Sequence, residues 1–479
     1  MSLKQDIIKN MPPTFFQKYK KEILWASFSI IFFLIIIFFL YQKTDLNIFK
    51  SSKEKTDLFQ FRKLFDVLPI KIDSSQDKIK DQDITGEVEL IPEGLIKVWD
   101  KPVAGYEIYS KSYRQNNFAK SLATTGVLIF LDSESGIIYE KDLNQSTSTP
   151  TAIISENPKL VMIQKAFFLN DDNGVVKQIV LQYLDDKKII KTKIATIPNS
   201  INSLINLINL PDNIISISVS PDNQKLIYLV AKETNVNGRK DVYSDWFLLN
   251  RIYASPEQIY TSPLTIWNLI ITNDEKIYAY EKDTAFENSN FYKLNIENGN
   301  ENYLNNNLEK IYGDHTGLAF LITNTQKNIL VSVNTKTGIK TYLNNSFANF
   351  NKNFQDNNLQ ELSFKTLASK CVSSHLDEFV LCAVPKEIKR YDAGLPDAWY
   401  QGVASFEDNL YYLSLAENNS KVEIFYDFQK SADTNLDILN LKIAPNDSRL
   451  IFINKSDRSL WSLNLNNIRY AETEVVVEE

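Results

Sequence analysis

The chain has 479 residues, enough for one large domain or two to four smaller ones, and its 44% apolar content with 28 Phe, 23 Tyr and 6 Trp is that of a globular protein rather than a disordered one. A formal net charge of −7 excludes a general basic field for gripping a nucleic-acid backbone. Two His and two Cys cannot furnish the usual four-ligand zinc sets unless both types converge, so neither a metal nor another cofactor is expected.

The first strong signal is the run ILWASFSIIFFLIIIFFLY at residues 23–41, which carries no charge and, as a helix, would measure about 28 Å, close to the thickness of a bilayer's hydrocarbon core. A buried core helix would show a polar face, and this run is apolar all round. A cleaved signal peptide would end in small residues, whereas Phe38, Phe39, Leu40 and Tyr41 run directly into Gln42 and Lys43. Lys4, Lys9, Lys18, Lys20 and Lys21 precede the run, which predicts a cytoplasmic tail over 1–22, an uncleaved transmembrane helix over 23–41 and everything beyond on the outer side. Residues 42–84 read as a polar stalk, in which Leu58, Phe61, Leu64, Phe65 and Leu68 could line one short amphipathic helix.

From residue 85 to about 470 the pattern changes to short apolar runs separated by Asn, Asp, Ser, Pro and Gly, which predicts strands. Two segments nearly repeat each other: ISISVSPDNQKLIYLV from Ile215 and LNLKIAPNDSRLIFIN from Leu439. Weaker copies are LIITNDEKIYAYE from Leu269, IYGDHTGLAFLI from Ile311 and CVSSHLDEFVLCAV from Cys371, with earlier counterparts near Gly126 and Val175. Their spacing fits an all-β propeller of about seven four-stranded blades. Further hairpins are expected to turn at Gly136, Gly299 and Gly338. Glycine is scarce, 13 in all, so Asn, as in 305–307 and 344–345, is expected to fill turn positions. Residues 471–479 read as an acidic tail.

The strand, Ser-Pro-Asp-Asn turn, strand unit resembles the repeat of TolB-type and related WD-like propellers. KPVAGYEIY from Lys101, SGIIYEKDL from Ser135, LQYLDDKKIIKTKIATI from Leu181, the Cys371 to Cys382 hairpin and LPDAWYQG from Leu395 resemble a family of single-pass membrane propeller proteins of uncultured, small-genome bacteria. That resemblance implies fold and membrane attachment and brings no activity with it.

Candidate sites are few. Cys371 and Cys382 would face each other across a hairpin turning at Leu376 and Asp377, which leaves open a disulfide, two buried thiols or a reactive site. The segment from Pro385 to Gly402 is long for a blade turn and gathers Arg390, Tyr391, Asp392, Asp397, Trp399 and Tyr400, residue types that suit a binding surface but that could equally pack the loop onto its blade. No G-x-S-x-G elbow occurs, and His315 and His375 both fall in blade hairpins, where a structural role is the simpler reading. Asp171 with Asp172 and Asp185 with Asp186 read as solvated turns. These observations favour a non-enzymatic protein-binding or scaffolding module at the bacterial cell envelope, with a carboxylate-dependent glycan hydrolase and a sensor signalling through its cytoplasmic tail as the alternatives.

Overall fold

The computed structural model describes residues 94–466 apart from 115–121, 146–147, 155–161, 198–205, 237–238, 251–253, 297–304, 336–337, 346–358, 390–393 and 416–420. The apolar run at 23–41, the stalk at 42–84, Gly299 and the acidic tail lie outside the described residues. Among those described, no helix is long and apolar enough to cross a membrane.

Seven four-stranded antiparallel sheets form the blades. Blade 1 holds β2 (Val103–Arg114), β3 (Leu122–Asp132), β4 (Ile138–Asp142) and β5 (Thr151–Ala152). Blade 2 holds β6 (Lys165–Asn170), β7 (Val176–Leu184), β8 (Ile190–Thr196) and β9 (Asn206–Asn209), and blade 3 holds β10 (Ile214–Val219), β11 (Leu226–Val236), β12 (Arg239–Leu249) and β13 (Glu257–Ser262). Blade 4 holds β14 (Trp267–Ile271), β15 (Ile277–Glu281), β16 (Asn288–Asn295) and β17 (Asn307–Thr316), and blade 5 holds β18 (Ala319–Ile322), β19 (Ile329–Thr335), β20 (Gly338–Asn344) and β21 (Gln360–Glu361). Blade 6 holds β22 (Cys371–Ser373), β23 (Phe379–Pro385), β24 (Asp408–Ser414) and β25 (Val422–Tyr426). Blade 7 takes β26 (Ile438–Ile443), β27 (Arg449–Asn454) and β28 (Leu460–Asn464) from the end of the chain and β1 (Leu95–Trp99) from the start. That shared blade closes the ring.

Period-two alternation explains why the second strand of each blade is apolar on both faces. In β3, Val127, Ile129 and Leu131 pack against Phe168, Ile179 and Leu181 of blade 2, while Leu128 and Phe130 pack against Ile451 and Ile453 of blade 7. The same device repeats at each junction: Leu226 and Tyr228 face Val180, whereas Ile227 and Leu229 face Leu269 and Ala279. Between blades 6 and 7, Phe379 and Leu381 meet Leu450 and Phe452. Each such side chain, fully removed from water, contributes about 1.5–3 kcal/mol before chain entropy is counted.

The first strands of neighbouring blades are adjacent and form the inner wall. There β2 and β6 run so close that a Cβ on Gly105 would lie 2.1 Å from the Ala166 carbonyl oxygen, so only Gly fits. The blade 7 to blade 1 junction is sewn by polar contacts as well. The Tyr106 hydroxyl donates to the carbonyl oxygens of Asn440 and, at 2.8 Å, of Ile451, and Lys442 pairs with the buried Glu107.

The turns between first and second strands define one face. In five of them, opened by Ser220, Thr272, Thr323, Ser374 and Ala444, the fourth residue takes a left-handed conformation: Asn223, Glu275, Gln326, Asp377 and Asp447, with φ between 54° and 67°. Neighbouring turns join into a belt. Asn170 N donates to Asn223 O at 2.7 Å, Lys225 pairs with Glu275, and Gln326 Nε2 donates to Asp274 at 2.6 Å. Asp377 accepts from Asn324 N and Thr325 N, and His375 Nδ1 lies 2.9 Å from Asp447 Oδ1.

Several expectations change. IYGDHTGLAFLI is no hairpin copy: it is the end of β17, a crossing at Gly317 with φ 63°, and β18, and the blade 5 hairpin turns instead at 323–328. Gly136 and Gly338 sit where second strands pass to third strands. Asn is not the main occupant of left-handed backbone, since among the twelve such non-Gly residues described three are Asn and four are Asp. Asn306 instead directly precedes β17 and Asn344 is the last residue of β20, and Asn306 Nδ2 donates to Ile259 O at 2.8 Å.

Candidate functional site

The opposite face carries the connections from second to third strands, and the longest landmark on it is the segment between β23 and β24. Its described part begins with Lys386, continues after residues 390–393 with a cis Leu395–Pro396 bond, and makes one helical turn at Asp397–Tyr400. Arg390, Tyr391 and Asp392 lie outside the described residues. The segment has a small core of its own, in which Leu395, Ala398, Trp399, Ala404 and Phe406 pack against Ile339 of blade 5 and Leu439 of blade 7. It is therefore a folded cap across three blades.

Its polar residues reach further. Asp397 Oδ2 accepts from Ala285 N at 2.6 Å, and the Tyr400 hydroxyl donates to Asp283 Oδ2 at 2.7 Å, both in blade 4. A Cβ on Gly394 would come within 2.5 Å of the Ala285 Cβ, and its φ of 65° also suits Gly. Burial pushes the Asp283 carboxyl up to about 6, and burial followed by the nearby Asp283 charge raises the Tyr400 phenol well above its usual value.

Beneath the cap lies a buried ionic cluster for which the sequence offered no local signal. Lys370, directly before β22, places Nζ 2.7 Å from Asp408 Oδ2 and 3.1 Å from Asp437 Oδ1, with all three side chains at most 1% exposed. The ammonium also lies over the rings of Phe406 and Trp399, at 4.7 and 5.0 Å. Asp437 further accepts from Trp399 Nε1, Ser405 Oγ and Phe406 N. Asp408 accepts from Ile438 N at 2.7 Å through the oxygen that meets Lys370, while its Oδ1 has no partner. Burial, opposed by the Lys370 charge, leaves the Asp408 carboxyl at about 6. Full burial makes this cluster an anchor for the cap rather than a reaction centre.

Beside the cap is an open cleft of about 660 Å³ shared by blades 4, 5 and 6, lined among others by Phe286, Ile339, Phe364, Lys365, Lys389 and Leu395. Phe286 is 69% exposed, and Lys365 and Lys389 are exposed on its rim. An apolar floor with a basic edge can receive an apolar side chain flanked by acidic groups.

The other sequence candidates sit elsewhere. Cys371 and Cys382 are register partners in β22 and β23 and are joined by a disulfide with Cα atoms 4.1 Å apart. His315 lies in β17, stacked on Tyr312, and His375 lies in the belt, so the two belong to different blades. Asp171 and Asp185 each fold a turn back on itself by accepting two backbone N–H groups. Among the described residues no group of three or more His, Cys, Asp or Glu is placed to hold a metal ion.

No family model matches the chain, and neither does any curated protein. Solved structures do. An oligogalacturonate lyase in complex with manganese is 11% identical, with a TM-score of 0.46 over 77% of this chain and all of that one. The β-propeller domain of the Trilobed protease from Pyrococcus furiosus is 10% identical over 74% of this chain and 95% of its own, with a TM-score of 0.40. TolB from Acinetobacter baumannii is 11% identical over 75% and 79%, with a TM-score of 0.34. At these identities the likeness concerns the fold.

Proposed function

We propose that the protein is a membrane-anchored propeller, with the 23–41 run as its single-pass anchor in a bacterial cell membrane, its N-terminus cytoplasmic and its blades outside, and that it acts as a protein-binding or scaffolding module at the cell envelope. The observation that carries the binding role is the cleft beside the cap, where an exposed Phe286 and the rim lysines Lys365 and Lys389 stand on a scaffold held from three blades. Rigid placement reduces the ordering cost of association, and a membrane tether raises the effective concentration of neighbouring partners. The partner that fits is a protein segment presenting an apolar residue beside acidic ones.

Two measurements test the reading. Protease added to intact cells should remove the blades and spare the N-terminal tail, and full protection of the blades would overturn the topology. Envelope proteins co-purifying with the full-length chain should be lost from Phe286→Glu combined with Lys389→Glu, and retention of all of them would overturn the binding role.

A further inference from the structure

We propose a second site, separate from the cleft, at the mouth of the central channel: Lys165, Lys282 and Arg458 together bind a compact multivalent oxyanion, a polyphosphate or a polycarboxylate. Each residue sits beside the end of an inner strand on the cap face. Lys165 opens β6, the inner strand of blade 2. Arg458, in the turn between β27 and β28, donates through Nη2 to Val103 O at 2.8 Å and Gln164 O at 3.4 Å, where β2 and β6 begin. Lys282 follows β15 and donates its backbone N–H to Ile266 O at 2.6 Å, one residue before β14, the inner strand of blade 4. Blades 2, 4 and 7 thus each send a cation to the same opening.

Of the three charges, that of Lys282 is partly offset by the neighbouring Asp283 carboxyl, whose pKa, raised by burial, it lowers. Among the described residues none of them forms an ion pair, although the chain as a whole is acidic. Asp283 also accepts from the Tyr400 hydroxyl, and Asp457 accepts from Ser459 and Asn454 of its own turn. Lys165 and Lys282 are solvent-exposed, yet burial in the surrounding mouth, together with the charges of Arg458 and Lys282, lowers the Lys165 pKa. Exposure combined with desolvation is the signature of a concave opening, where low-dielectric walls focus a local positive field. Cations repelling one another in such a place are stabilised by an anion that bridges them, and the forked Arg458 guanidinium suits oxygen pairs. A monovalent ion could neutralise only one of the three, which is why the ligand is multivalent.

The test is calorimetric titration of the full-length protein in detergent, at low ionic strength, with pyrophosphate in one arm and citrate in the other. Saturable binding of either is expected, weakening steeply with added NaCl. Saturation by pyrophosphate alone assigns the site to phosphates, by citrate alone to carboxylates, and by both to oxyanions generally. Lys165→Gln and Lys282→Gln, whose side chains make no hydrogen bond within the described structure, should fold normally and each lower affinity about tenfold. Lys365→Gln with Lys389→Gln, in the cleft, should leave it unchanged. Absence of saturable binding in both arms, undiminished binding by Lys165→Gln and Lys282→Gln, or an equal loss in the cleft variant would overturn the proposal. Because the cleft variant is separate, loss of this site leaves the protein-binding reading standing.

Discussion

The Trp399 indole donates to both carboxylate oxygens of Asp437, at 2.9 and 3.0 Å, and so fixes the blade 6 cap to the entry of blade 7. Both residues are buried, so the indole does two things at once: it fills the cap's core and satisfies a carboxylate that has no access to water. Trp399→Phe keeps most of the volume and removes the donor, and should cost about 1–3 kcal/mol. Trp399→Ala also leaves a cavity and should cost about 3–5 kcal/mol. Urea unfolding midpoints of the two variants should therefore rank in that order below the parent.

Lys370 neutralises two buried carboxylates, so its removal strands both. Lys370→Met should destabilise by about 3–5 kcal/mol, the usual consequence of breaking a buried pair from one side. Adding Asp408→Asn, which can still accept from Ile438 N, should recover part of that loss. A double-mutant cycle with additive losses would contradict the coupling.

Asp283 gives stability a pH dependence whose sign follows from its raised pKa. The folded carboxyl titrates near 6 and the unfolded one near 3.8, so between those values the folded state holds the extra proton. This group's contribution is therefore most favourable below about pH 4 and is lost as pH rises through about 6. Asp283→Asn, still able to accept from Tyr400, removes the dependence. Its stability relative to the parent should rise by up to about 3 kcal/mol between pH 4 and pH 7, measured as the difference between the two unfolding curves.

Ring closure rests on contacts from the chain's two ends. Tyr106→Phe deprives the Asn440 and Ile451 carbonyls of their donor and should cost about 1–3 kcal/mol. Hydrogen exchange should rise first in β2 and β26, because those inner strands meet at this junction.

The ring was legible in the sequence because inner apolar runs such as Val127 to Leu131 carry their packing on both faces, and because the hairpins around Pro221 and Pro445 look alike. The remaining hairpins were harder to see since the recurring chemistry is not the proline. Ser220, Thr272, Thr323 and Ser374 each use a hydroxyl to accept from the N–H that reopens the next strand, at 3.0–3.2 Å, and only the first is followed by Pro. A search for Ser or Thr at that position would have found the blade 5 turn in place of the Gly317 crossing. Strand β1 was hidden because its partner lies at the far end of the chain. The cluster of Lys370, Asp408 and Asp437 was hidden for the same reason, as three segments supply one residue each and none is unusual alone.

The binding role is tested most directly by a photo-crosslinking amino acid placed at Phe286 in living cells, with the same group at Gln326 on the belt face as the reference. A discrete envelope-protein adduct at position 286, absent at 326 and abolished by Lys389→Glu, is the predicted result. Adducts that are equal at both positions, or none at 286, would contradict it.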